Sequence, residues 1–117
     1  MSALDQAIAS LEAKRQRDEA QRRERQQFAR SFLKEFYEAD VSPSQKLKEH
    51  GVLAVFDGTR ILLEKPAEGM YADGMMIVAG EQGEIDVSGR SLGLVPPDGK
   101  DAKKKELIEE IISHFSL

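Results

Sequence analysis

The stretch that decides the fold is VLAVFDGTRILLE, residues 52–64. Two apolar runs, VLAVF at 52–56 and RILLE at 60–64, flank the dipeptide Asp57-Gly58. Asp-Gly between such runs is the strongest short sequence signal for a β-hairpin, because glycine adopts the positive φ that tight hairpin turns require. The stretch therefore predicts two antiparallel strands joined by a tight turn.

More strands are predicted on the C-terminal side of this hairpin. Asp73-Gly74 repeats the Asp-Gly signal between GMYA and MMIVA, which predicts a second tight turn with a positive φ at Gly74. Turns spaced this closely favour an antiparallel meander over parallel βαβ units, which need longer crossovers. The further predicted strands are MMIVA (75–79), EIDVS (84–88) and a weaker stretch, SLGLV (91–95), which ends at Pro96-Pro97.

Helices are predicted on either side of the meander. Ser2 is a suitable N-cap and no Gly or Pro follows before Pro43, so one helix is expected from about residue 3 to about residue 39. Ser42-Pro43-Ser44-Gln45 predicts a second, short helix with Ser42 as its cap, ending at Gly51. After Asp98-Gly99 an amphipathic helix is expected to bury Leu107, Ile108, Ile111, Ile112 and Phe115.

These elements predict an α+β fold. It consists of a long N-terminal helix, a short second helix, an antiparallel meander of four to six strands and a C-terminal amphipathic helix packed on the sheet. A helix of about 36 residues is about 54 Å long, whereas a globular part of about 90 residues is only about 30 Å across. We therefore divide the chain into a projecting polar helix, residues 1–27, and a small globular domain, residues 28–117. The rival arrangement is a helix that breaks near residue 20 and folds back on its own domain.

The segment AKRQRDEAQRRERQQ, residues 13–27, has no large apolar side chain. As a helix it places Lys14–Asp18, Arg15–Glu19, Asp18–Arg22 and Glu19–Arg23 at i,i+4, the spacing at which opposite charges stabilise a helix. We interpret it as a solvated spacer between two apolar clusters.

The apolar clusters are the predicted partner-binding residues, through which the helix would pair with a second copy or dock to another protein. We expect antiparallel homodimer pairing centred on Ala20, which sets Leu4 near Phe36, Ile8 near Phe32 and Leu11 near Ala29 of the partner. Met70 and Tyr71 join the set because methionine-rich surfaces adapt to partners, whereas Met75 and Met76 are expected in the core. The full predicted set is Leu4, Ile8, Leu11, Phe28, Phe32, Met70 and Tyr71.

The alternative function is nucleic-acid association through the basic stretch 14–25. Residues 1–30 carry seven Arg and Lys against five Asp and Glu, and the rest of the chain is acidic. The interleaved acids and the lack of an aromatic residue for base stacking weigh against this function. Its contact residues would be Arg15, Arg22, Arg23 and Arg25.

No enzyme, cofactor or metal site is expected. The two histidines, His50 and His114, lie in the last turns of predicted helices, where a cation complements the helix dipole. Glu84 and Asp86 share one strand face, and alternation with Ile85 and Val87 points them to water rather than to a ligand. The glycines at 80, 83, 89 and 93 match no phosphate-binding motif and are expected in turns and bulges.

Composition agrees with a soluble protein of modest core. Hydrophobic residues make up 40% of the chain and charged residues 32%, and there is no cysteine for disulfide or thiolate chemistry. No apolar run is long enough for a membrane span, and the first residues lack the pattern of a signal peptide. A cytoplasmic location is therefore expected.

Overall fold

The computed structural model describes residues 2–66 and 73–117. It confirms the α+β architecture, with a long N-terminal helix, a short helix, five antiparallel strands and a C-terminal helix. The helices are α1 (Ala3–Phe36), which runs into a π-helical turn (Tyr37–Val41), α2 (Gln45–Glu49) and α3 (Lys100–Phe115). The strands are β1 (Leu53–Phe56), β2 (Arg60–Lys65), β3 (Asp73–Ala79), β4 (Glu84–Val87) and β5 (Arg90–Leu94).

The five strands form one meander in the order β1-β2-β3-β4-β5, and each neighbouring pair is antiparallel. Side chains alternate between two faces of the sheet, so one face is buried under helices and the other is open. α1 crosses β2, β3 and β4, and α3 contacts β3 on the same core. The buried face of the sheet carries Ile61, Leu63, Met75, Ile77, Ala79, Ile85 and Val87.

The predicted turn at Asp57-Gly58 is confirmed. Gly58 has a φ of +99°, and the Asp57 N–H donates to the Arg60 carbonyl at 3.1 Å. The Asp57 carboxylate also accepts hydrogen bonds from the backbone N–H groups of Thr59 and Arg60 and pairs with the Arg60 Nε at 2.6 Å. The turn is thus closed by both backbone and side-chain contacts.

The predicted turn at Asp73-Gly74 is wrong. Both residues belong to β3, where Asp73 pairs with Lys65 and Gly74 with Glu64 of β2, and Gly74 does not have a positive φ. The ladder between β2 and β3 extends over six residue pairs, and its pairing outweighs the local turn preference of Asp-Gly. The connection lies before Asp73, and residues 67–72, with Met70 and Tyr71, lie outside the described residues.

The other turns use positive φ where the sequence places small residues. Gly83, with a φ of +84°, closes the turn between β3 and β4. Ser88 and Gly89 form the two-residue turn between β4 and β5, and both have positive φ, the pattern of a type I′ hairpin. Gly93 lies at an irregularity in the pairing of β4 with β5, so the turn-and-bulge interpretation holds for these three glycines.

Helix α1 is continuous, which excludes the break near residue 20. Its C-terminal half packs on the sheet through Ala29, Phe32, Leu33 and Phe36, whereas every residue from Ser2 to Gln21 is exposed. The chain is 70 Å long with a radius of gyration of 19.0 Å. A compact chain of this length would have a radius near 13 Å. The N-terminal half of α1 therefore projects from the domain.

The short helix α2 begins two residues later than predicted. Its cap is Ser44, whose Oγ accepts a hydrogen bond from the Leu47 N–H at 3.3 Å, and not Ser42. Ser42 instead ends the π-helical turn, its N–H donating to the Tyr37 carbonyl at 2.7 Å. His50 caps the other end of α2 and Gly51 follows with a φ of +77°, as the sequence predicts.

Helix α3 buries a narrower stripe than predicted. Leu107, Ile111 and Phe115 are buried, but Ile108 is 37% exposed and Ile112 is 45% exposed. The buried residues follow one another at intervals of four and form a narrow stripe along the helix. Towards the N-terminus of α3, this stripe continues to Lys103. The Lys103 Nζ donates to the Leu92 carbonyl at 2.7 Å and pairs with Glu106 at 3.0 Å, so this buried charge has a carbonyl and a carboxylate partner.

Candidate functional site

The exposed large apolar side chains of the described residues form separate groups. Three lie at the N-terminal end of α1, three on the open face of the sheet in β1 and β2, two on α3, and Leu94 lies apart on β5. Exposed apolar clusters mark interaction sites more often than single exposed residues do. The clusters are Leu4, Ile8 and Leu11; Leu53, Val55 and Leu62; and Ile108 and Ile112.

We call Leu4, Ile8 and Leu11 the tip surface. They are 69%, 45% and 54% exposed, and their spacing of four and three puts them on one face of the helix. Ser2 fixes the start of this helix, because its side-chain oxygen accepts a hydrogen bond from the Asp5 N–H at 3.1 Å. The tip surface is thus a short apolar stripe on a capped helix end.

The tip surface continues the α1 face that packs on the sheet. Leu4, Leu11, Arg22 and Ala29 are separated by seven, eleven and seven residues, which are close to two, three and two helical turns. Because α1 is continuous, these residues lie nearly in line. The helix face that is buried at Ala29 therefore runs past the edge of the sheet and ends at the exposed tip surface.

Between the tip surface and the domain, α1 is polar. Glu19 lies 3.2 Å from Arg23 and 3.9 Å from Arg22, so one of the four predicted i,i+4 pairs, Glu19–Arg23, is present. The Arg25 Nε donates to the Gln82 carbonyl at 3.3 Å. Among the described residues Arg15 has no ion pair. Three of the four predicted nucleic-acid contacts thus have partners within the chain.

The two phenylalanines of the predicted partner-binding set pack on the domain. Phe32 is completely buried and stacks on Phe36 with ring centroids 6.5 Å apart. Phe28 is half-buried, and the Lys100 Nζ lies 5.1 Å from its ring centroid. Since Ala29, Phe32 and Phe36 are all fully buried, they are not accessible to a second helix, and the antiparallel pairing centred on Ala20 is wrong.

The second apolar surface is a groove of about 410 Å³ beside α3. Its volume lies in the range of about 300–1,000 Å³ that is usual for binding clefts. Ile108 and Ile112 form its exposed wall, and Lys46, His50 and Asp40 are its charged and titratable members. We call it the α2–α3 groove, and its apolar lining includes Val41, Leu47, Ile108, Ile111, Ile112 and Leu117.

The sequence does not separate the groove residues from the core residues of α3. Ile108 and Ile112 are as apolar as Leu107 and Ile111. A lysine precedes each pair on its own side of the helix, Lys105 before the first pair and Lys103 before the second. No local pattern tells which stripe faces the sheet. The groove also needs α2, which is far from α3 in the sequence.

Glu84 on β4 and His114 on α3 have hydrogen-bond partners within the chain. Glu84 accepts a hydrogen bond from the Gln82 N–H at 2.9 Å, and Glu84 and Asp86 both lie on the face opposite Ile85 and Val87. The His114 Nε2 lies 2.9 Å from the Asp73 carboxylate, a contact that links α3 to the start of β3. In residues 2–66 and 73–117 no cluster of three or more His, Asp or Glu is arranged to hold a metal ion.

Nor does any helix within the described ranges combine the length and the apolar character that crossing a membrane requires. Comparison of the chain with protein families, with curated proteins and with solved structures finds no match.

Proposed function

We propose that this protein is a non-enzymatic interaction module that self-associates through the tip surface on its N-terminal helix. The observation that carries the proposal is the position of Leu4, Ile8 and Leu11 at the end of a continuous helix whose first half is entirely exposed. Burying a Leu or Ile side chain contributes about 1.5–3 kcal/mol relative to leaving it in water. The tip surface therefore gains free energy when another apolar surface covers it.

A second copy of the chain is the partner that we propose. The tip surface lies at the end of a projecting helix, so it reaches another molecule without disturbing the domain. The domain offers further exposed apolar clusters, on the open face of the sheet and on α3, so a second copy supplies an apolar contact surface. Most soluble assemblies are formed by identical chains.

Sedimentation of the purified protein at increasing concentration tests this proposal. We expect the wild-type chain to associate, and Ile8→Glu to raise the dissociation constant at least about tenfold, because a charge in the centre of an apolar contact is left without a partner. Leu94→Glu is the matched control, since Leu94 is 52% exposed but lies outside the tip surface. A wild-type chain that stays monomeric at high micromolar concentration would contradict the proposal.

Nucleic-acid association through the basic stretch 14–25 is the alternative that the same protein sample can test. Contacts to phosphate weaken steeply with salt, whereas apolar contacts do not. Arg22→Gln and Arg23→Gln would reduce binding to DNA or RNA if these side chains contacted phosphate, although they also contact Glu19. The self-association that we propose rests on apolar contacts, so it should not weaken steeply with salt.

A further inference from the structure

We propose that a cleft between α1 and the turn from β1 to β2 binds the phosphate group of a small organic phosphate ester. The cleft has a volume of about 380 Å³, within the range of about 300–1,000 Å³ that is usual for small-molecule sites. We call it the Arg30 cleft, and its lining residues are Gln27, Arg30, Ser31, Lys34, Phe56 and Gly58. None of them belongs to the tip surface, so this proposal is independent of the self-association proposed above.

One wall of the Arg30 cleft is a row of hydrogen-bond donors on α1. Its members follow one another at spacings of three or four, which puts neighbours on one face of the helix. They supply a carboxamide, a guanidinium, a hydroxyl and an ammonium group, and each of these groups can donate to an anion. Within residues 2–66 and 73–117 no Asp or Glu lines the cleft, so its lining carries two positive charges and no carboxylate.

The guanidinium of Arg30 has a buried nitrogen without a partner. Its Nε donates to no acceptor among the described residues, and neither Arg30 nor Lys34 forms an ion pair with any of them. Native proteins leave few buried donors unpaired, and those that remain call for an explanation such as a functional role or a bound ion. Since no carboxylate of the described chain neutralises Arg30, its charge is available to an anionic ligand.

The acidic residues around the Arg30 cleft do not cancel its charge. The Asp57 carboxylate already accepts two backbone N–H groups of its own turn and pairs with Arg60. Glu35 pairs with Lys100 at 3.5 Å. Glu38 follows the lysine of the cleft by four residues, but the two form no ion pair.

The opposite wall of the cleft is apolar and held in place. The Phe56 ring stacks on Tyr37 with ring centroids 5.7 Å apart, and the Tyr37 hydroxyl donates to the Ala54 carbonyl of β1 at 3.3 Å. Gly58 contributes no side chain, and a Cβ atom placed on it would have nothing within 4 Å. This wall suits the organic part of an ester, while the donors on α1 face its phosphate.

A phosphate monoester matches the charge of the cleft better than a carboxylate does. It carries about 1.5–2 negative charges near pH 7 and three strong acceptor oxygens, so it neutralises both cations. A carboxylate neutralises only one of them. The planar fork of an arginine is also well suited to binding two phosphate oxygens at once.

A second cleft on α1 shows the contrast. Its lining combines three arginines with Asp18 and Glu19, and Glu19 pairs with Arg22 and Arg23. The positive charge there is largely balanced within the chain, whereas that of the Arg30 cleft is not.

Titration of isotope-labelled protein with phenyl phosphate, inorganic phosphate and acetate tests the proposal. Phenyl phosphate should give saturable amide shift changes at Gln27, Ser31 and Gly58. It should bind more tightly than inorganic phosphate because its ring contacts Phe56, and acetate should not bind at the same concentrations. Equal affinity for the two phosphates would overturn the assignment to an ester. Binding of acetate as tightly as phosphate, or a lack of shift changes in the cleft, would overturn the phosphate site.

Two variants test the cations. Lys34→Gln should weaken the binding of phenyl phosphate at least about tenfold, since a charge-assisted hydrogen bond is lost. Lys105→Gln is the matched control, because Lys105 is also an exposed helical lysine without an ion pair among the described residues, and it should bind like the wild type. Equal affinities of the two variants would overturn the proposal.

Arg30→Gln separates ligand binding from stability. Because the Arg30 Nε has no partner, this change should weaken phenyl phosphate binding at least about tenfold without lowering the midpoint of denaturant unfolding. A lowered midpoint with unchanged affinity for phenyl phosphate would make Arg30 a structural residue and overturn the proposal.

Discussion

A Cβ atom placed on Gly83 would lie 2.6 Å from the Cβ of Arg25. The turn between β3 and β4 therefore touches the backbone of α1 at the position where the helix leaves the sheet. The hydrogen bond from Arg25 to the Gln82 carbonyl lies at the same position. This contact orients the projecting half of α1, and with it the tip surface, relative to the domain.

Gly83→Ala is expected to destabilise the domain. The φ of +84° is strained for alanine, and the added methyl group would meet Arg25. Overpacking a tight site typically costs about 1–3 kcal/mol, in addition to the cost of the left-handed conformation. Gly89→Ala is the matched control, because its φ of +87° is nearly equal but nothing lies within 4 Å of the added atom. Equal losses in the free energy of unfolding would show that the approach of α1 is unimportant.

The Asp57 carboxyl is expected to titrate well below its ordinary range. Hydrogen bonds from the Thr59 N–H, followed by the contact with the Arg60 side chain, lower the pKa of Asp57 from 3.8 to about 2. Because the folded-state pKa is the lower one, the ionised carboxylate stabilises the hairpin above pH 3.8, and this contribution is lost as the pH falls towards 2. Carbon-detected NMR titration of the carboxyl measures this pKa directly.

Asp57→Asn supplies the comparison for stability. In this variant the amide oxygen can still accept hydrogen bonds from the turn, but the negative charge that faces Arg60 is gone. Wild type should be more stable than the variant near neutral pH, and the difference should shrink as the pH falls from 3.8 towards 2. A stability difference that does not change across this interval would mean that the charge of Asp57 does not stabilise the turn.

The two Asp-Gly dipeptides show how far local sequence determines this fold. Asp57-Gly58 lies between runs that pair with each other directly, so the local signal and the sheet agree. Asp73-Gly74 carries the same local signal, but β3 pairs with β2 back to Lys65 and includes the dipeptide in the ladder. The sequence therefore predicts strand alternation and helix length, whereas the number of residue pairs in a β-ladder also depends on the partner strand.

The two candidate surfaces also differ in how far the local sequence predicts them. The exposure of Leu4, Ile8 and Leu11 follows from local sequence, because the polar segment after them has no apolar side chain to hold the helix on a core. The α2–α3 groove depends on how α3 is rotated on the sheet. The sequence pattern alone would place its exposed isoleucines in the core as readily as the buried ones. Only packing against distant residues decides which isoleucines are covered.

Ile111→Ala and Ile112→Ala should therefore differ in cost. Ile111 is 5% exposed and Ile112 is 45% exposed, although both are isoleucines in adjacent positions of one helix. Truncating a buried Ile to Ala costs about 2–5 kcal/mol, and exposed sites usually change stability by less than about half a kcal/mol. Denaturant unfolding of the monomer measures both values. Similar losses for the two variants would mean that α3 is rotated differently on the sheet.

Removal of residues 2–12 is expected to abolish self-association and leave the domain folded. All of these residues are exposed, so their removal takes away no core contact. The free energy of unfolding of the monomer should therefore change by less than about half a kcal/mol, as for other surface changes. Sedimentation and denaturant unfolding of the same sample measure association and stability separately.

A full-length variant with Leu4, Ile8 and Leu11 all replaced by Gln separates the apolar side chains from the length of the helix. Glutamine is a good helix former, so this variant keeps the projecting helix and loses only the apolar stripe. If the apolar contact drives association, the variant and the truncated chain should both be monomeric. Association of the glutamine variant at wild-type strength would instead assign the contact to the polar residues of α1. A loss of stability in the truncated chain would mean that residues 2–12 pack on their own domain.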